Sequence, residues 1–375
     1  MKICDELAAI NPKWQNGQGF RWNRRGFKMV DIETEFLYES WYVAGWSSDF
    51  EHSLTPLTIL DERVVIFRTD KGVAVALEDA CPHRKLPLSH GRLHSDRVEC
   101  GYHGLTFDCS GTCVHAPTQQ HAPPNVVVKS YPVVDRYGLL WIWMGASDAA
   151  NADDIYRIEN YDNPAWGKTA GGSMDIACHY LYVTDNLLDP SHVAWVHVSS
   201  FAGAGTEDVP LNVERLEDGV LVSRWMQDRQ PPPYYAPMLT FQGNCDRKQH
   251  YECRVPSIAI NKSIFTPVGK GGDDTALPDN TFINISYNFM TPVDADNTRY
   301  FWFQHRNGDP DNEALSAQMF EAAKGAFVED RDILVEVHKG MKNKRTRNIN
   351  LGIDAGSMRF RKMIEKRIAE STGSA

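Results

Sequence analysis

The chain has 375 residues, 42% of them hydrophobic and 11% aromatic, enough to bury a sizeable core and to exclude a wholly disordered chain. That length leaves room for two or three domains. Its 39 basic and 49 acidic residues give a net charge of −10, which argues against general affinity for nucleic acid or an anionic membrane. No segment approaches the ~18 consecutive apolar residues of a spanning helix. The first residues carry Asp5 and Glu6 with no apolar run, unlike a secretory signal, and eight cysteines are too few for a disulfide scaffold. The expected location is cytoplasmic.

In chain order, residues 1–38 form an expected arm. Lys13 to Lys28 holds five basic residues, no acid and three glycines, with Trp14, Phe20, Trp22 and Phe27 between them. Such a stretch reads as a poorly ordered segment or one laid over a neighbour. Residues 39–148 are strand-like. Short apolar runs (VVIFR, VAVALE, VVVKSYPVV, LLWIWM) alternate with turn signals such as Thr69-Asp70-Lys71-Gly72 and Ser110-Gly111, which predicts a small antiparallel β-domain. The apolar run Gly138 to Met144 has the length and content of a buried strand. Around Ala146 to Pro164 the composition shifts to Asp, Asn and Ala, a linker signal. Residues 149–375 then read as an α+β domain, an antiparallel sheet flanked by helices. Its predicted helices run from about His179 to Val198 and from Asn312 to about Lys339, and its predicted strands are LVSRWMQ, NTFINISYNFM and TRYFWFQH.

The densest chemical signal is Cys81-Pro-His83 followed by Cys100-Gly-Tyr-His103. Two thiolates and two imidazoles on two short loops suit tetrahedral zinc, or a Rieske 2Fe–2S cluster in which two Cys hold one iron and two His the other. Zinc sites usually keep like ligands together, whereas here each loop supplies one of each, which favours the cluster. Cys109 and Cys113 read as small hydrophobes, and His90, His94, His115 and His121 as surface or hydrogen-bonded residues.

Cys81-x-His83 with Cys100-x-x-His103-Gly104-Leu105 resembles the Rieske domain of the Rieske non-haem iron oxygenases. Leu86 and Tyr102 stand where the respiratory-chain type adds two bridging cysteines, so the oxygenase type is favoured. A second constellation follows in Asp189-x-x-His192-x₄-His197. Two imidazoles joined by a distant carboxylate make the facial triad of non-haem Fe(II) oxygenases. A five-residue separation does not stack on a regular helix, so the chain should loosen there, and Pro190 disfavours a regular helix further. The resemblance draws the carboxylate from a late helix and implies Asp330, with Asp332 as competitor and Glu329 as neighbour. His179 reads as lining or core.

The resemblance extends from Trp41 to near the C-terminus. Asp185-Asn-Leu-Leu-Asp189, Ser223-Arg-Trp-Met226 with Pro231-Pro-Pro, and Asn350-Leu-Gly-Ile-Asp354-Ala-Gly356 look like the branch of vanillate and dicamba O-demethylase oxygenase components. It implies one Rieske 2Fe–2S cluster and one mononuclear Fe(II) per chain. A separate flavin or ferredoxin-type reductase would bring electrons from NAD(P)H, and an aromatic substrate would be hydroxylated or O-demethylated with O₂. It also implies a homotrimer in which Asp189 bridges His103 of one chain and His192 of the next, with Asn186 a further catalytic residue. Ring dihydroxylation or N-demethylation on the same scaffold stays open, as does a zinc-ribbon binding protein. For a carboxylated substrate, Arg254, His250 and Asn288 are candidate anchors. Arg84, Lys85, Arg92 and Arg97 form a basic cluster that suits an acidic electron donor.

Overall fold

The computed structural model describes residue 32 and residues 35–371, apart from 118, 198–200, 202–205, 207, 272–275, 344 and 346–347. Most of the expected arm lies outside the described residues. Its last part is packed: Phe36 and Leu37 are buried, and the Phe36 ring stacks on His179 at 6.2 Å between centroids.

The first region is three small antiparallel sheets. The strand Leu139–Trp143 pairs with Trp41–Trp46 on one side and Val133–Arg136 on the other. All five of its residues are buried because its two faces serve two different cores. Leu139, Trp141 and Trp143 point into one cluster and Leu140 and Ile142 into another. A strand covered on both faces reads as an unbroken apolar run, which is why it was legible. The expected linker is also packed, since Ile155 and Ile158 join the aromatic cluster between the small sheets and the large one.

The second region is an eight-stranded antiparallel sheet. In spatial order its strands are Gly167–Lys168, Asn297–Arg306, Phe282–Asp294, Ile258–Pro267, Cys245–Arg254, Gly219–Arg229 and Asn212–Arg215, with Gly172–Ile176 also paired to Asn297–Arg306. Among the described residues four α-helices accompany it: α1 (Tyr180–Leu187), α2 (Val193–Val196), α3 (Glu313–Met341) and α4 (Ala355–Ser371). Three of them (α1, α3 and α4) share a core with one sheet face, while the tryptophan-rich strands of the first region cover the other. The expected α+β architecture is therefore present.

Several elements differ from the sequence reading. The predicted helix 179–198 is two pieces, because Pro190 lacks the N–H an uninterrupted helix would need there. The strands Cys245–Arg254 and Ile258–Pro267 were not predicted; the first (CDRKQHYECR) is mostly polar yet largely buried, so it shows no apolar alternation. Helix α4 was also missed. It lies against the strand Gly219–Arg229, with Gly356 so close to Val222 that a Cβ would meet its Cγ2 at 2.3 Å.

Candidate metal centres

The loops after Ala74–Glu78 and after Arg97–Glu99 share one backbone design. In the first, the Lys85 amide donates to the Cys81 carbonyl (2.8 Å) and the Cys81 amide to the Leu86 carbonyl (2.9 Å). In the second, Gly104 donates to Cys100 (3.0 Å) and Cys100 to Leu105 (2.8 Å). Each turn closes through one residue in the left-handed region, Lys85 at φ 60° and Gly104 at φ 71°. The consequence is a shared orientation of the donors. Cys81 and Cys100 are buried at 1% and 2% exposure, while His83 and His103 stand on the exposed side with ring centroids 4.5 Å apart.

Burial pushes the Cys81 thiol up, and Cys100 beside it pushes further, against backbone amides of His83 and Arg84 that pull it down. Two adjacent buried thiols ionise together only beside compensating positive charge. Sulfurs on the inner side and imidazoles on the outer side fit a cluster with one iron on each. Cys113 and Cys109 pack in and against the hydrophobic cluster beneath these loops and contribute nothing to the donor set.

The second donor set is built from distant elements. Helix α2 is a single turn with His192 as its N-cap and His197 as its C-cap, so the five-residue separation spans a whole short helix. His192 Nδ1 faces the backbone carbonyl of Asp189, and His197 Nδ1 lies 2.8 Å from a Glu329 carboxylate oxygen. Both partners only accept, so each Nδ1 carries the proton and each Nε2 presents a lone pair. Those two Nε2 atoms lie 3.6 and 3.2 Å from Asp330 Oδ1, which is buried without an aligned hydrogen bond. Burial works against a charged His197, but Asp330 and Glu329 outweigh it and lift its pKa.

Asp330 reaches this point because α3 buries Met319, Ala323, Ala326, Asp330, Leu334 and His338, a stripe at helical spacing with one carboxylate in it. The three donors His192, His197 and Asp330 lie within 4.8 Å of one another. Such a convergence of lone pairs fits a metal cation. Asp332, the competitor, is exposed and paired with Arg331 at 2.8 Å, away from the group. His179 is buried and accepts from the Leu181 amide as the N-cap of α1.

Asp189 follows α1, on the loop that leads to His192. Its carboxylate accepts from the amide and hydroxyl of Ser191, and its backbone carbonyl, not its side chain, holds His192. Asn186 lies in the last turn of α1, where its carbonyl accepts from the Asp189 amide at 3.1 Å. Arg224, in the Ser223-Arg-Trp-Met stretch, is buried and donates to the carbonyls of Pro190 and Thr206, which braces the loop leading to His192. Asp185 receives a bidentate Arg361 fork that ties α1 to α4.

A cavity of about 620 Å³, counting the space at its mouth, adjoins the three donors. Its wall includes Phe201, Tyr235, Phe327, Tyr251 and Arg247, with Asn261, Ser263, Asn284 and Ser286 on the sheet floor. Arg254 and His250 do not face it. Side chains alternate along the strand Cys245–Arg254, and this pair lies on the other face, Arg254 bonded to Glu252 and Asp218 and His250 to Glu252. Asn288 is wholly buried beneath the floor, donating to Asn261 and accepting from Tyr300. Sequence reasoning assigned nothing to Glu329 as the partner of His197, to Arg224 as the brace of the His192 loop, or to Arg247 in the cavity wall.

Known families match both regions of the chain. The Rieske [2Fe-2S] domain matches residues 40–132, and the vanillate O-demethylase oxygenase C-terminal domain matches residues 176–370. A putative toluene-4-sulfonate monooxygenase system iron-sulfur subunit of Comamonas testosteroni is 34% identical over 90% of this chain and 98% of its own length. The vanillate O-demethylase oxygenase subunit of Pseudomonas sp. strain HR199 is 32% identical over 91% of this chain and 97% of its own. The crystal structure of dicamba monooxygenase bound to 3,6-dichlorosalicylic acid superposes with a TM-score of 0.82 at 26% identity, covering 90% of this chain and 99% of the other. Among the described residues no helix is long and apolar enough to cross a membrane. The chain belongs to the Rieske oxygenase components of the vanillate O-demethylase type, oxidoreductases that pair a 2Fe–2S domain with a non-haem iron domain and work with a separate reductase.

Proposed function

We propose that this chain is the terminal oxygenase of a cytoplasmic monooxygenase system that hydroxylates or O-demethylates a small aromatic substrate. The convergence of His192, His197 and Asp330 in the wall of a partly aromatic cavity carries this reading. His192, His197 and Asp330 would hold an iron that would supply O₂ activation, and Cys81, His83, Cys100 and His103 would hold a cluster that would supply single electrons. The net reaction on a methoxy-arene consumes O₂, two electrons and two protons. One oxygen atom enters the methyl carbon, the resulting hemiacetal breaks its C–O bond to give a phenol and formaldehyde, and the other atom leaves as water.

The protein's own groups hold the donors in place. Glu329 and the Asp189 carbonyl fix the two imidazoles as Nδ1–H tautomers, which leaves Nε2 for the metal. The walls Phe201, Tyr235 and Phe327 exclude water from one side of the substrate ring. Electrons would reach this point between subunits of a homotrimer, with Asp189 between His103 of one protomer and His192 of its neighbour. What supports that path is exposure. His83 and His103 stand on the open side of their loops, and Asp189 lies on the loop that carries His192.

The test is oxygen uptake coupled to NADH oxidation in the presence of a reductase. The panel is methoxybenzoates, phthalates and arylsulfonates, with formaldehyde measured. The same preparation should contain about three irons and two acid-labile sulfides per chain. Stoichiometric zinc with no labile sulfide would sink the reading.

A further inference from the structure

The cavity floor holds two kinds of polar side chain. Asn261, Ser263 and Ser286 are answered within the protein. Asn261 donates to the Leu187 carbonyl at 2.7 Å and accepts from Asn288 at 3.0 Å. Ser263 accepts from the Tyr235 hydroxyl at 3.3 Å, and Ser286 donates to Asn288 at 3.1 Å. Asn284 and Gln304 line the same cavity and differ. They are 2% and 4% exposed, and neither Asn284 Oδ1 nor Gln304 Oε1 has a hydrogen-bond partner among the described residues. A carboxamide oxygen buried in this way gives up water for nothing, so folded proteins rarely leave one without a donor.

Strand register brings the two together. Asn284 lies opposite Arg306 and Ser286 opposite Gln304. Asn284 and Gln304 are therefore diagonal neighbours on one sheet face, about 7–8 Å apart at the backbone and within reach of a common group. Contacts with α3 place them relative to the metal donors. Arg306 donates to Met319 Sδ at 3.8 Å, and the Phe327 ring lies 5.1 Å from that of Trp302. Gln304 stands between Trp302 and Arg306 on the same face, so it lies along α3 from Met319 to Phe327, where the short Ala323 lines the cavity. From Ala323 to Asp330 is two helical turns, about 10 Å along α3. A benzene ring with one substituent towards Asp330 and another towards Gln304 fits that separation.

An oxygen without a donor calls for an O–H or an N–H. Both carboxamides are neutral, so the matching group is neutral as well. A hydroxyl both donates and accepts, and so meets a carboxamide from either end.

We infer that Asn284 and Gln304 are specificity-determining residues of this enzyme, holding a neutral hydroxyl or amino substituent of the aromatic substrate while another part of the ring faces His192, His197 and Asp330. This rests on the oxygenase reading above and deepens it. The pair takes the anchoring part that sequence reasoning assigned to Arg254, His250 or Asn288, with a neutral group in place of a carboxylate.

The holoenzyme is titrated calorimetrically, without reductase, in mildly alkaline buffer that keeps the amine neutral. The ligands are 4-methoxyphenol, 4-methoxyaniline and 4-fluoroanisole, with the 3-substituted isomer of each. Fluorine is close in size to a hydroxyl and donates no hydrogen bond. In one isomer series wild type should bind the hydroxyl or amino compound more than ~10-fold tighter than its fluoro counterpart, and the stronger donor identifies the group. Asn284→Leu and Gln304→Met should each reduce that preference several-fold and change the fluoro compound's Kd less than about threefold. Thermal unfolding of the ligand-free variants should be unchanged or higher, because each removes a buried polar group without a partner. Equal binding of the three compounds by wild type overturns the inference without any variant, and so does failure of all of them to bind. An unchanged donor preference in both variants overturns it too. So does earlier unfolding with all three compounds weakened alike, which would make the pair structural. Iron and sulfide are assayed on the same samples. A preparation unable to hold metals defeats the oxygenase reading, whereas metals without donor preference defeat only the assignment of Asn284 and Gln304.

Discussion

The four candidate cluster ligands stand on two neighbouring loops that follow strands of two small sheets, while the three candidate iron ligands come from a one-turn helix and from the middle of α3. Even the supporting pair at the iron site, His197 and Glu329, is separated by 132 residues of sequence. The loops repeat a local backbone pattern, with matching hydrogen bonds and a left-handed residue at matching places. The iron site has no such local rule. It exists because a large sheet and the α3 stripe are packed well enough to bring Asp330 Oδ1 within 3.2 Å of His197. One centre is therefore set by turn chemistry, the other by tertiary packing. The first should tolerate damage to the core of the second region, and the second should not.

The largest effects come from separating the two centres. Cys100→Ser should remove the visible absorption of the cluster while the second region still binds Fe(II). Asp330→Ala should do the reverse, leaving a coloured protein without mononuclear iron. Turnover should vanish in both. Asp189→Ala is the third arm: it keeps the backbone carbonyl that holds His192, so both metals should stay, while the proposed path between protomers through its carboxylate is lost and turnover should fall severely. Near-normal coupled turnover in that variant would reduce Asp189 to its capping role on Ser191. Loss of both metals from Cys100→Ser would mean the centres are not built independently.

The same contrast explains what could be read from sequence. The cluster loops were legible because each Cys and His pair is local and its spacing reflects one turn. The His192 and His197 pair was half legible. Their separation and Pro190 signalled an irregular helix, and the structure supplies a single turn capped by both. Asp330 needed the family resemblance, since Glu329, Asp330 and Asp332 are equally acidic and only burial on the α3 stripe separates them. Arg247 was illegible for a different reason. In CDRKQHYECR alternate residues share the sheet face on which Arg247 and Tyr251 line the cavity, and nothing in a polar strand says which parity is inward. The reading chose His250 and Arg254, and the register chose Arg247 and Tyr251.

A smaller effect tests whether packing or chemistry dominates at the iron site. Glu329 is about half exposed, so it adds little to the core, yet it accepts the His197 Nδ1 proton at 2.8 Å. Glu329→Gln keeps an acceptor without the charge, and Glu329→Leu removes both. Iron affinity, read by competition with a chelator, should fall ~10-fold in the first and towards ~100-fold in the second, with thermal unfolding nearly unchanged. An unchanged iron affinity in both variants would show that packing alone orients His197.

The smallest effect concerns the cluster region's outer surface. Arg84, Lys85, Arg92 and Arg97 are exposed around the cluster loops, in a chain of net charge −10. Arg92 is already paired with Glu99 at 2.7 Å, and Glu99 is held below the usual carboxylate range by that arginine and by His94. Its charge is thus largely answered within the chain, so the steering of an acidic reductase should rest on Arg84, Lys85 and Arg97. Opposite charges mainly raise the encounter rate, and salt screens them over about 8 Å at physiological strength. Stopped-flow reduction of the cluster by its protein partner should therefore slow as salt rises. Arg84→Glu and Arg97→Glu should each slow it several-fold at low salt, and Arg92→Glu should do less despite the same change in charge. Reduction by dithionite, which needs no docked partner, should be nearly unaffected. Equal losses with both reductants would assign these residues to the cluster's potential, and a salt-independent rate would remove the docking face altogether.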